Sequence, residues 1–240
     1  MAVWLSRLCL AGLLVFCGPL LAANTNKNQA TLVNSLVKAA PGINREAVRH
    51  AIAAMQCAVN NGADPARRLA VIDFSKPSAA KRLWIFDLNK NRLLLNDYVA
   101  HGRLSGEGTA STFSNRVGSY QSSLGLFRTA ESYKGKHGLS LRMDGLEPGL
   151  NDSARERAIV IHGASYVDPA LVRSQGRIGR SLGCPAVRPE VARMVVDQLQ
   201  GGQFLFAWHP SERWAKNSAY FNCKPRQVAN ILARQLAARS

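Results

Sequence analysis

Apolar residues fall at helical spacing in two early stretches, with Leu32, Val33, Leu36 and Val37 on one face and Val48, Ile52, Met55 and Val59 on the next. Pro41-Gly42 separates the stretches and Asn61-Gly62 stops the second, so the pattern predicts a helical hairpin over 31–40 and 44–60. Beyond it the period changes. Short apolar runs predict strands over 69–74, 82–88 and 92–100, the last two turning at Asn89-Lys90-Asn91, and further strands over 124–129, 139–143, 158–161 and 203–208. Residues 101–123 are rich in Gly, Ser and Thr and poor in apolar side chains, which predicts a long loop of the kind that borders active sites. Helices are predicted over 168–174, over 189–199 with Pro189 in its first turn and Gly201-Gly202 past its end, and over 225–238 with Val228, Ile231 or Leu232, and Leu236 on a packing face. The fold class is mainly β with peripheral α-helices (α+β).

A 240-residue chain that is 47% hydrophobic can build one domain of ordinary size with extra helices. At the N-terminus a single charge, Arg7, precedes an apolar run from Leu8 to Phe16, and Leu21-Ala22-Ala23 precedes polar Asn24-Thr25-Asn26. This reads as a secretory signal peptide cut near Ala22 or Ala23, with an uncleaved anchor as the alternative because the run approaches the lower limit for a membrane span. No stable membrane span is expected after cleavage. The expected division is 1–23 signal peptide, 24–62 N-terminal helical segment, 63–223 catalytic domain and 224–240 C-terminal helix.

The formal net charge of +16, lowered by one when Arg7 leaves, suits polyanionic partners. Nucleic acid is not expected among them, because zinc-finger spacing, an aromatic sheet motif and a concentrated basic arm are all missing. No clustered metal ligands, such as H-E-x-x-H, and no phosphate-binding loop occur, so neither metal nor cofactor is expected. His50 and His209 have no partners at ligand spacing, and Asp152 and Glu156 are ordinary acids. With Cys9 and Cys17 in the leader, the mature chain keeps Cys57, Cys184 and Cys223. Three cysteines in an oxidising compartment suggest one pair and one spare; if Cys184 stays a thiol, the pair is Cys57 with Cys223, the alternative being two separate buried thiols.

The chemistry concentrates in two places. Residues 158–161 read as a buried strand delivering His162, with Gly163 turning the backbone beside the imidazole, and Cys184 lies among small residues with Gly183 before it. A thiol with a free pKa of ~8.5 is activated when a neighbouring imidazolium lowers that value. The backbone N–H groups of Gly183 and Cys184 are candidate oxyanion donors, each worth ~2.7–4 kcal/mol in such sites. A buried structural cysteine and a satisfied core histidine are the alternative.

His162-Gly163 followed by Ser181-Leu182-Gly183-Cys184 and a downstream arginine resembles the signature of the murein L,D-transpeptidase catalytic domain, the YkuD-like family. Ser122-Ser123-Leu124-Gly125, Gly135-Lys136-His137-Gly138 and Gly176-Arg177-Ile178-Gly179-Arg180-Ser181 point to the branch with a Ser-x-Gly-Cys-Pro-Ala-Val motif. The resemblance covers about 82–208. It departs from the commoner pattern twice: Leu182 stands where histidine is usual, and the near-adjacent arginine is displaced to Arg188.

The resemblance implies a β-sandwich catalytic domain with an N-terminal helical hairpin and a C-terminal helix, exported to the periplasm or cell envelope and acting on peptidoglycan stem peptides. Cys184 would attack the carbonyl of the third stem residue, a diamino acid, and expel D-alanine. A second stem's amine would resolve the thioester, with His162 moving protons. Arg188 and Arg180 become candidates for substrate carboxylates, Ser181 and Gly163 for orienting the site, and Tyr133 and His137 for lining the donor site. An L,D-carboxypeptidase using water as acceptor and a non-catalytic murein-binding module are the alternatives; the oligomeric state is left open.

Overall fold

In the computed structural model, residues 18–237 are described. Most of the expected signal peptide, 1–17, lies outside them. The first helix, α1 (Gly18–Ala39), begins well before position 31. The polar run 24–30 carries no apolar stripe to announce a helix, yet a helix propagates through such residues once a packed segment nucleates it. Helix α2 (Arg45–Asn60) starts where Asn44 Oδ1 accepts the Glu46 N–H at 2.8 Å and ends at Asn61. Its buried face, Val48, Ile52 and Met55 among small alanines, packs on α1 and on the sheet.

Eight strands form one hydrogen-bonded sheet: β1 (Arg68–Asp73), β2 (Leu83–Asp87), β3 (Arg92–Asp97), β4 (Gly125–Gly135), β5 (Gly138–Gly145), β6 (Val160–Gly163), β7 (Ala186–Val187) and β8 (Phe204–Trp208), in the order β3-β2-β1-β8-β4-β5-β6-β7. With its flanking helices this is the expected sheet-dominated α+β class. β1 and β8 run parallel, with Leu69 opposite Phe204, and are buried along nearly their whole length, as strands covered on both faces must be. β4 first pairs β8 through Gly125–Arg128 and then continues with β5 to a tight turn at Gly135↔Gly138; its register shifts between Thr129 and Ser132, a bulge that bends the strand. The hairpin is longer than the sequence pattern predicted, because its outer half is polar and solvent-facing.

The chemistry sits at the far edge. β6 lies between antiparallel β5 and parallel β7, so that Tyr133, Ser140, His162 and Ala186 occupy one cross-strand row. After β3 the chain stays extended, and Ala100 N–H donates to Ala186 O at 2.8 Å, pinning β7 from the other side. Helices α3 (Pro169–Gln175), α4 (Pro189–Leu199), α5 (Glu212–Asn217) and α6 (Pro225–Ala237) complete the chain. α5 had no sequence signal, since six residues are too few to display a period. A disulfide joins Cys57 on α2 to Cys223 just before α6, with 5.5 Å between Cα atoms. No described helix is long and apolar enough to cross a membrane.

Candidate active site

The Cys184 loop is built by glycine and serine. Gly183 has φ +125°, and a Cβ there would lie 2.9 Å from Gln121 O and 3.0 Å from Ile159 Cδ1, so only glycine fits. Ser181, nearly fully buried, donates from Oγ to Cys184 O at 2.7 Å and accepts from Gly183 N–H at 3.0 Å. It therefore orders the turn that carries the thiol and makes no bond to His162. The predicted loop over 101–123 braces this turn: Ser181 N–H donates to His101 O, Arg103 N–H to Ser181 O and Ser122 Oγ to Gly183 O, at 2.9, 2.7 and 3.2 Å.

Cys184 is the free cysteine among the described residues. Its Sγ accepts the Val160 N–H at 3.5 Å and donates to Ala158 O at 3.6 Å. Ala158 holds φ +51°, uncommon for a residue with a Cβ, at the turn entering β6. His162, 3% exposed, follows Val160 by two positions and shares its face of the strand. Its Nδ1 lies 3.0 Å from Gly163 O, so the carbonyl fixes the proton on Nδ1 and leaves Nε2 as the basic nitrogen. Gly163 orients the imidazole through this carbonyl.

Electrostatics corrects one expectation. Burial pushes the Cys184 thiol above its ordinary value, and the Val160 N–H, Arg157 and Lys136 only partly oppose that. Burial likewise lowers His162, aided by His137 and Lys136, against the Gly163 hydrogen bond. The resting pair is therefore neutral thiol and neutral imidazole, without a hydrogen bond between them, where the sequence suggested an imidazolium-stabilised thiolate. Desolvation outweighs attraction here because neither charged form has enough partners.

The two candidate arginines both make bonds within the protein. Arg188 is spent on Asp97, with Nε and Nη2 reaching the carboxylate at 2.6–3.1 Å, and this pair staples β3 to the start of α4. Arg180 Nη1 holds Arg103 O, Gly106 O and Glu107, at 3.0, 3.2 and 2.6 Å. The Arg188 fork is thus taken by Asp97, and Arg180 is tied to the 103–107 segment through Nη1. The Gly183 N–H, engaged by Ser181 Oγ, is no oxyanion donor; the Cys184 N–H has no partner among the described residues.

One of the predicted lining residues meets the site. His137, at the tip of the β4–β5 hairpin, stacks its ring on His162 with centroids 4.4 Å apart and 26° between planes. Tyr133 shares the cross-strand row of His162, and its ring packs under the Arg142 guanidinium at 4.5 Å.

Sequence reasoning missed Arg157, which holds Ser114 O and Ser123 Oγ through Nη1 and Gln121 O and Ser119 Oγ through Nη2, locking the 101–123 loop beside Gly183. It also missed Tyr166, half-buried, whose hydroxyl is driven up by burial and by Cys184. Neither lies in a motif; only the charge of Arg157 next to polar loops offered a clue. No group of three His, Cys, Asp or Glu among the described residues is placed to hold a metal.

The family model for the L,D-transpeptidase catalytic domain matches residues 39–208. No curated relative matches the chain. Among solved structures it is similar to an L,D-transpeptidase from Mycobacterium smegmatis, at 15% identity and a TM-score of 0.38, over 60% of this chain and 59% of that one. It is also similar to an L,D-transpeptidase (Yku) from Stackebrandtia nassauensis, at 10% identity and a TM-score of 0.37, over 76% and 91% of the two chains. The chain thus spans 59% of the length of the first of these proteins.

Proposed function

Because the chain belongs to the L,D-transpeptidase catalytic domain family, we propose that it is an exported cysteine acyltransferase cross-linking peptidoglycan stem peptides through a Cys184 thioester. The observation that carries the reading is the placement of a free thiol on a glycine-formed turn against β6, the strand that presents His162 with its Nδ1 proton fixed by Gly163 O.

In the first half-reaction His162 Nε2 takes the thiol proton as Sγ attacks the carbonyl of the third stem residue. The S–C bond forms, the bond to D-alanine breaks, and the imidazolium returns the proton to the departing amine. The Cys184 N–H is the donor left for the oxyanion. Since the resting thiol is protonated, attack requires substrate to lift Sγ off Ala158 O and bring it within reach of His162. In the second half-reaction the side-chain amine of another stem's diamino acid attacks the thioester and frees the thiol. Serine, glycine and Arg157 hold the loop still, so the proton transfer has a fixed geometry to work from.

The test is intact-mass spectrometry of the protein and of Cys184→Ala after incubation with a disaccharide tetrapeptide, with muropeptides analysed in parallel. An acyl adduct on the unaltered protein alone, together with linked dimers, is expected. Tripeptide without dimer would move the assignment to an L,D-carboxypeptidase, and no adduct or turnover with retained murein affinity to a binding module.

A further inference from the structure

A cleft of about 330 Å³ opens where the 111–115 segment faces α5, walled by Phe113 and Trp214 with Leu124 behind them. That is the small end of the range for ligand sites, about 300–1,000 Å³, enough for one ring but not a peptide strand. Its chemistry is unusual for this molecule. The full chain carries 31 Lys and Arg, yet no residue lining the cleft among those described is charged. Polar groups line it instead. The hydroxyls of Ser111 and Ser211 make no hydrogen bond among the described residues, and Ser211 stands at the start of α5 without capping it. The Asn115 amide is oriented by Asp152 and by the Ser153 N–H, which leaves it one donor and one acceptor position. Both aromatic walls are fixed: Phe113 packs on His209 at 5.0 Å, and Trp214 donates its indole N–H to buried Glu147.

Rigid aromatic walls, unspent hydroxyls and an amide, with no charge, match a neutral ring that has an apolar face and a hydroxylated edge. We propose that this cleft binds one N-acetylhexosamine ring of the murein glycan, so that the stem peptide attached to it runs to Cys184; this rests on the peptidoglycan reading above. The spacing agrees. Arg157 also bridges cleft and nucleophile turn, with Nη1 on Ser114 O at 2.7 Å and Nη2 3.4 Å from where a Cβ on Gly183 would stand. A third stem residue is reached from its sugar by about 10 Å of extended chain.

The test compares kcat/KM for acylation by a disaccharide tetrapeptide with that for the sugar-free tetrapeptide, in the unaltered protein, Phe113→Ala and Ser211→Gln. The second variant fills the cleft from a partly exposed position should the first fold poorly. A preference for the sugar-bearing substrate of about tenfold or more, collapsing towards unity in both variants, is expected. Equal rates in the unaltered protein, or a preference that survives both substitutions, would overturn the proposal. Saturation-transfer NMR with chitobiose reads the same cleft without catalysis. Transfer to the sugar that is lost in Ser211→Gln supports the site even if neither substrate acylates Cys184, the outcome that would instead defeat the transpeptidase assignment; absence of transfer defeats the sugar site alone.

Discussion

Replacing Glu147 by Gln should remove this group's own contribution to the pH dependence of stability between about pH 4.5 and 7. Glu147 is wholly buried beneath α5, where it accepts the Leu126 N–H at 2.6 Å and the Trp214 indole N–H at 3.0 Å, with Tyr220 nearby. Burial raises its pKa from 4.5 to about 7, although the Ser218 hydroxyl, the Leu126 N–H and the Trp214 N–H all favour the charged form. Its folded value lies above its unfolded one, so between the two the native state holds a proton that the unfolded chain has released. Stability from this group is therefore present below about pH 4.5 and lost as pH rises through 7. The interval corresponds to about 3 kcal/mol. Urea denaturation of the unaltered protein and of Glu147→Gln, at several pH values across the window, isolates the effect, since other groups titrate in both. The difference between the two curves should fall by about 3 kcal/mol from acid to neutral pH. Parallel curves would refute the reasoning and mean that the three donors hold the carboxylate ionised.

The remaining predictions concern the cross-link, the arginine staple and the base. Cys57 and Cys223 are separated by 166 positions, so chain entropy alone puts the loss in a Cys57→Ala/Cys223→Ala variant at up to about 5 kcal/mol; a urea midpoint unmoved by the double substitution would contradict this. Arg188→Ala leaves Asp97 buried and unpaired, and should cost about 3–5 kcal/mol of stability; a variant as stable as its parent but with a raised KM would return Arg188 to the substrate. The acid limb of the acylation rate should lie below the ordinary imidazole value, because burial and then His137 and Lys136 lower His162. Accordingly His137→Gln should move that limb upward, and an unmoved pH profile would show that the stacked ring exerts no influence.

What the sequence disclosed follows from how local each signal is. His162 and Cys184 were legible because each sits beside a glycine; Gly183, at φ +125°, does mark a backbone turn, whereas Gly163 continues β6 and pairs with Val187 instead of turning the chain as expected. Helix α4 was legible because Pro189 and Gly201-Gly202 bracket it. The stacking of His137 on His162 was not, since it depends on the length of a polar hairpin whose outer half carries no alternating apolar pattern. The commitment of Arg188 to Asp97 was hidden for a related reason: an arginine near a nucleophile offers the same five donors whether a substrate or a buried carboxylate takes them. Likewise Ser181 read as a residue orienting the site without showing what it holds, and only the bonds to Gly183 N and Cys184 O decide it.

The thiol's resting bonds to Val160 N–H and Ala158 O bear on how three sulfurs sort themselves as the chain oxidises. Exchange with a disulfide proceeds through the thiolate, and each unit by which a thiol's pKa rises lowers the thiolate fraction about tenfold at fixed pH. A desolvated, protonated Cys184 is thus a slow attacker of the Cys57–Cys223 bond. The sulfur reserved for acyl transfer is kept out of scrambling by its own desolvation, and gains nucleophilic character when a substrate delivers it to the imidazole.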